Sequence, residues 1–299
     1  MTESLRAMLA GAIDYAGLFP PAELSLAETA ANYAGYLQSG DRWMLGRLTL
    51  PAARLSELDE FAEELFSAGK VRISAVGRGG NDLAELDAGL TEDLKAIRAF
   101  HKKHRDRAKV NMIELKIPPA VSPAALGVVV ESLAAKKLQV FVEMSVLQIG
   151  EVHGAIHEAG TGGIKFRCGG VNADAFPSID QLTMVIATSA AANLPLKFTA
   201  GLHHPLRRFD ASVNTKMHGF INVYFAAIAS HVLRLRAEPV SHILAIEDPE
   251  QFEFTDEAVR CGEYRVATQQ IVEGRKVVTS FGSCSFDESR EGLRSLGWL

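Results

Sequence analysis

Apolar runs of five to eight residues alternate with segments of helical periodicity along this chain, and the alternation recurs to its end. A short apolar run reads as a strand buried on both faces, and a helix between two such runs returns the next strand parallel to the last. The pattern therefore predicts an α/β fold of parallel strands and crossover helices. Strands are expected at "AIDYAGLF", "WMLGRLTL", "VRISAVG", "VNMIELKI", "LQVFVEMSV", "GIKFRCG", "LPLKFTAG" and "KVVTSFG", with helices such as "SLAETAANYAGYL", "LSELDEFAEELFSA" and "SIDQLTMVIATSAAAN" between them. Ser25 followed by Glu28 forms a capping box that starts the first of these helices. Eight such strands point to a closed (β/α)8 TIM barrel. Residues 1-299 are read as one barrel domain with an insertion at 205-276, because that stretch is too long for one helix and its loops. This elaboration between strands 7 and 8 is expected to hold a long helix, "HGFINVYFAAIASHVLRL", and a small polar segment around "HILAIEDPEQFEF" that can also be read as a strand.

Composition sets the surroundings. At 299 residues and 47% hydrophobic content, the chain can bury a large core without covalent staples. Cys168, Cys261 and Cys284 are odd in number and lack CxxC spacing, which argues against a disulfide framework or a structural zinc site. Glu3 and Asp14 interrupt the apolar N-terminal stretch, and "FINVYFAAIASHVL" falls short of the ~20 residues of a spanning helix. Net charge is −5, and no Lys/Arg cluster is interleaved with aromatics along the sequence. The expectation is a soluble, cytoplasmic protein with a small-molecule ligand, no nucleic-acid or membrane partner, and homo-oligomerisation left open.

Two of the strands raise a chemical question. "TGGIKFRCGGVNADAF" and "LPLKFTAGLHHP" each place one lysine, Lys165 and Lys197, in an apolar strand that runs into a glycine turn. A buried charged lysine is costly, so such a residue either points to water or is kept for chemistry. The strand period of two puts Glu114 with Lys116, Lys165 with Arg167, and Lys197 with Thr199 on common faces, and Glu143 ends "VFVE". In a (β/α)8 barrel the active site lies at the C-terminal strand ends. If these faces point inward, carboxylates and cations converge at one mouth. The plainer alternative is a set of strand-end charges paired across neighbours.

The order "AIDYAGLFPP", "VFVEMSVLQIGEVHGAIHEAG", "GGIKFRCGG", "LKFTAG" and "SFGSCSF" resembles the deoxyribose-phosphate aldolase group of class I, Schiff-base-forming barrel aldolases. The likeness spans most of the chain outside Pro205 to Lys276, as a divergent branch. It implies that Lys165 forms the Schiff base without a cofactor and that Lys197 lowers its pKa. A free lysine sits near ~10.4, so a neutral nucleophile needs a drop of roughly three units. A second cation at ~4 Å and an effective dielectric near 20 costs the charged form about 4 kcal/mol, enough for that drop. The alternative keeps both lysines charged and paired with Glu114 and Glu143.

Departures from the resemblance are equally informative. Asn111 falls where the group has a proton-moving aspartate, so Glu114 is the expected replacement. Gly169 and Gly170 stand where a phosphate-binding lysine is expected. Gly201 is followed by Leu202, His203 and His204 instead of a second glycine. Gly282, Ser283 and Ser285 around Cys284 keep a stretch of oxyanion-binding backbone. The candidate substrate-binding residues are Arg167, Gly169, Gly170, Thr199, Gly201, His203, His204, Gly282, Ser283 and Ser285, with Arg167, His203, His204 and Arg207 offered for a carboxylate or phosphate of a carbonyl or sugar-like substrate. The catalytic set is Lys165, Lys197, Glu114, Glu143 and Lys116.

Two other function classes compete. Glu114 and Glu143 with His203 or His204 offer ligands for a metal-dependent lyase or isomerase, although adjacent strand residues point oppositely and only one histidine would serve. A barrel that binds a metabolite without catalysis is the third class. His153 and His157, four apart without a following glutamate, read as a solvated helix face. Cys168 and Cys284 read as small buried residues.

Overall fold

The computed structural model describes residues 1–104 and 106–299. Eight parallel strands close a barrel: β1 (Ile13–Tyr15), β2 (Leu45–Pro51), β3 (Val71–Val76), β4 (Ala108–Lys116), β5 (Gln139–Glu143), β6 (Gly162–Arg167), β7 (Leu196–Thr199) and the closing strand Val278–Ser283, which pairs with both β7 and β1. Each lies where an apolar run was expected, and the fold is the (β/α)8 TIM barrel. Burial on both faces explains the continuous apolar reading: Leu48, Ile73, Ile113, Val142, Ile164 and Phe198 are all inaccessible to solvent.

The outer layer forms from amphipathic helices. The helix Leu26–Gln38 begins with the expected box, in which Ser25 accepts from the Glu28 amide and Glu28 accepts from the Ser25 amide. The stretch expected as one helix from Leu55 is instead a 3-10 run, Ala52–Phe61, continued by a short α-helix, Ala62–Ser67. Its buried residues Ala52, Leu55 and Leu58 recur every third position, which suits three residues per turn.

Between β7 and the closing strand the chain inserts a two-stranded hairpin (Arg208–Asp210 with Thr215–Met217), helices Phe220–Leu233, Ala237–Ala245 and Thr268–Gly274, and a three-stranded antiparallel sheet. "HILAIEDPEQFEF" is divided among the end of the second helix, a 3-10 turn at Pro249–Gln251 and the strand Phe252–Phe254. The helix Phe220–Leu233 is buried on every side from Phe220 to His231, because the other two inserted helices and the helix Ile179–Ala192 enclose it. Both chain ends meet the small sheet: the Glu3 amide donates to Asp256 at 3.0 Å, and Trp298 packs edge-on to Phe254 with centroids 4.9 Å apart.

β4 carries one irregularity that positions the site. Ile73 pairs with Val110 and Ser74 with Met112, so Asn111 is an extra, bulged residue. Beyond the bulge the inward phase passes to Met112, Glu114 and Lys116.

Candidate functional site

Sheet register gathers the charges. Lys116 pairs with Glu143, Glu143 with Lys165, and Lys165 with Lys197, so four charged residues from β4 to β7 stand in one row. All four line a cavity of about 460 Å³ at the C-terminal mouth, together with Glu114, Arg167, Thr199, Gly170, Gly201, His203 and Gly282.

Inside this mouth the charges form a chain of contacts. The Lys165 amine lies 2.7 Å from Glu114 and 2.8 Å from Glu143. The other oxygen of Glu114 lies 3.3 Å from the Lys197 amine and accepts from the Ser74 hydroxyl at 2.5 Å. Lys197 in turn donates to Asp14 and, at 3.1 Å, to Ser280, whose hydroxyl donates to Asp14 at 2.7 Å. Asp14 also accepts from the Arg47 amide at 2.7 Å, and the Arg47 guanidinium crosses the barrel to Asn111 and Gln139 at 3.0 and 3.3 Å. Asn111 thus anchors an arginine below the site and does not face the mouth.

These contacts set the protonation states. Burial alone would raise the Glu114 carboxyl, but Lys165 and Lys197 outweigh it and hold the group at about 2. Asp14 is likewise held below its ordinary value, with burial opposed by Lys197 and Arg47. For Lys165, burial pulls the amine down while Glu114 and Glu143 pull it up, and the carboxylates win. The simple picture of Lys197 depressing a free Lys165 is therefore incomplete: three carboxylates, from Asp14, Glu114 and Glu143, are interleaved with the two amines. A pH dependence follows. Glu114 titrates from an ordinary 4.5 in the unfolded chain to about 2 in the fold, so the stability it contributes is complete above pH 4.5 and lost as pH falls toward 2. Thermal melts followed by circular dichroism should show a melting temperature that drops over that acid window, and a Glu114→Gln variant should show a flatter acid slope.

The mouth loops are tightly shaped. Ala200 and Gly201, after β7, both adopt left-handed backbone, with φ of 58° and 70°. A side chain on Gly201 would meet Gly169 Cα at 2.7 Å, so the loops after β6 and β7 touch backbone to backbone. His203 reaches the rim, where Glu288 sits 2.9 Å away; burial would lower the imidazole, but Cys284 and Glu288 push it up to about 10. Other expected contacts lie elsewhere. His204 pairs with Asp210 at 3.3 Å, Arg207 is 3.3 Å from His218 and donates through its amide to Asn222, and Gly169 packs under Phe176. Ser283 donates to the Ser285 carbonyl, while Ser285 caps the helix Phe286–Ser295. The four residues considered as metal ligands are not assembled: both glutamates flank Lys165, and each histidine faces its own carboxylate. Among the described residues no group of three or more His, Cys, Asp and Glu side chains is arranged to hold an ion.

Asp14, Ser74 and Ser280 were not singled out from the sequence. For Asp14 a signal exists: a lone carboxylate between Ile13 and Tyr15 in an otherwise apolar strand asks the same question as the lysines. The two hydroxyls carry no such mark.

Fold and site together define a (β/α)8 barrel with a buried lysine–carboxylate network at its C-terminal mouth. No protein-family model and no curated protein matches the chain. Among solved structures it is similar in fold to a deoxyribose phosphate aldolase from Aeropyrum pernix, described as having a unique tetrameric structure, with 13% identity, a TM-score of 0.41, and coverage of 98% of this chain and 97% of that one. No helix among the described residues is long and apolar enough to cross a membrane.

Proposed function

We propose that this chain is a class I aldolase-like lyase that makes or breaks a carbon–carbon bond in a small carbonyl substrate through a Schiff base on Lys165. One observation carries the reading: of two buried lysines on adjacent strands, Lys197 is fully tied to Asp14, Ser280 and Glu114, whereas Lys165 opens onto the mouth between two carboxylates.

In this reading Lys165 rests as the ammonium and Glu114 as the carboxylate, and a transient passage of the proton to Glu114, 2.7 Å away, frees the amine that attacks the substrate carbonyl. The resulting carbinolamine loses its hydroxyl as water, taking the proton back from Glu114, and an iminium remains. Proton and charge balance: one ammonium and one carbonyl give one iminium and one water. Glu143 stands at the rim with 18% of its side chain exposed and, among the described residues, only Lys165 as ionic partner. It takes the proton of the substrate hydroxyl as the carbon–carbon bond breaks and its electron pair moves into the iminium. Lys197 keeps Glu114 from resting wholly on Lys165. Lys116 and Arg167, at the rim without ionic partners among the described residues, suit a substrate bearing an acidic group.

The test is borohydride reduction in the presence of a panel of neutral and acidic aldehydes and ketones, followed by peptide mass spectrometry. The adduct is expected on Lys165, within the peptide containing Gly162–Arg167, with the acidic members favoured. An adduct on Lys197 reverses the two roles. No adduct with any carbonyl leaves a metabolite-binding barrel, and activity that disappears on chelation transfers the site to metal chemistry.

A further inference from the structure

The opposite end of the barrel holds a second concave feature. Three segments that lead into successive strands meet there: the helix Glu3–Leu9 before β1, the turn before β2, and the turn running into β3. Together they line a cavity of about 530 Å³ with Arg6, Arg42, Trp43, Lys70 and Arg72.

The charge of this cavity is one-sided. Arg6, Arg42, Lys70 and Arg72 all line it, and among the described residues no aspartate or glutamate does. Among the described residues none of the four side chains enters an ion pair or a hydrogen bond. The nearest acidic residue in sequence, Asp41, is held by Arg290 and Arg294 instead. Elsewhere, exposed cations such as Arg54, Lys95 and Lys276 find carboxylates within 3 Å on their own helical turn. Like charges gathered in a concavity repel one another and focus a positive potential, an arrangement that an anion relieves. The aromatic wall adds a second element: the Arg6 guanidinium stacks over the Trp43 ring at 5.0 Å, which fixes one cation at the rim.

We propose that this cavity binds a small phosphate-bearing metabolite, a di-anion or stronger held by Arg42, Lys70 and Arg72 beside the Trp43 ring. Four cations exceed what one carboxylate needs, and guanidinium forks match phosphate oxygens. The cluster is a single pocket and not an extended stripe, which favours a small ligand over a nucleic acid strand. The site is independent of the mouth: it lies at the N-terminal ends of the strands and shares no lining residue with it.

The chain contains two tryptophans, and Trp298 packs against Phe252 and Phe254, away from this cavity. Titrating the intact protein with inorganic pyrophosphate at low salt should change Trp43 fluorescence saturably, with one-site binding by calorimetry. Inorganic phosphate and a nucleoside diphosphate, run in parallel, separate phosphate recognition from a contribution of base stacking on Trp43. Trp43→Phe should remove the optical signal. The Arg42→Ala/Arg72→Ala variant should weaken calorimetric binding at least tenfold while leaving borohydride trapping at Lys165 unchanged, and Lys70→Ala should weaken it several-fold. Lys165→Met should bind pyrophosphate as the natural chain does. The proposal is overturned by absence of saturable binding, by binding that the arginine variant leaves intact, by displacement with equimolar chloride, or by preference for single-stranded nucleic acid over pyrophosphate.

Discussion

Replacing Lys165 with Met or with Arg is expected to eliminate borohydride-trappable adduct and to lower turnover of any carbonyl substrate on the order of 10⁴-fold or more, the scale seen when a nucleophile that acts in concert with its neighbours is removed. The two substitutions separate chemistry from structure. Arginine keeps a cation between Glu114 and Glu143, so the ion pairs at 2.7 and 2.8 Å retain a partner, but a guanidinium stays protonated and forms no imine. Methionine removes both. Equal loss in the two variants, with the arginine form retaining the melting temperature, assigns the lysine to chemistry; activity surviving in the arginine form would rule out covalent catalysis there. Lys197→Met should behave differently. With Lys197 gone, Glu114 acts on Lys165 alone and holds it more firmly protonated, so trapping should slow at neutral pH and recover as pH rises toward the lysine range. Trapping rates across pH for the natural chain and the Lys197→Met variant measure this directly.

The largest effect on stability is expected at the base of the same network. Asp14 and Lys197 are both essentially inaccessible to solvent, and Asp14→Asn leaves the Lys197 ammonium buried with, among the described residues, Glu114 at 3.3 Å and the Ser280 hydroxyl as its remaining partners. Breaking a buried ion pair from one side costs about 3–5 kcal/mol, because the surviving charge remains desolvated. Removing both charges costs less than the sum of the single changes. The Asp14→Asn/Lys197→Met double variant should therefore recover much of the stability lost by Asp14→Asn alone, and a double-mutant cycle in urea should give a coupling of several kcal/mol. Additive losses in that cycle would mean that the pair does not act as a unit. Since Lys165 lies beyond Glu114, Asp14→Asn should leave some trapping at Lys165 in whatever fraction remains folded.

Much of the architecture was legible in local pattern. Short apolar runs at regular intervals are what strands buried on two faces must look like, and the eight runs became the eight barrel strands. The period of two was enough to put Glu114 with Lys116 and Lys165 with Arg167 on common faces, and all four line one mouth. The lysines stood out because a charge inside an apolar strand has few inexpensive explanations, and Asp14 carried the same mark.

Tertiary structure decided what these residues do to one another. Register placed Lys116, Glu143, Lys165 and Lys197 at one level, and closure of the barrel brought β1 beside the closing strand, where Asp14 and Ser280 could take hold of Lys197. A bulge at Asn111, invisible to periodicity, turned that side chain down toward Arg47 and set Glu114 in phase with the mouth. The cations of the opposite cavity come from three segments separated by dozens of residues, so no composition window could collect them. The reason is common to all of these cases. Periodicity records which face of an element avoids water, a property of each residue and its near neighbours. Which charges meet is set by strand order, register and closure, and those depend on the whole chain at once.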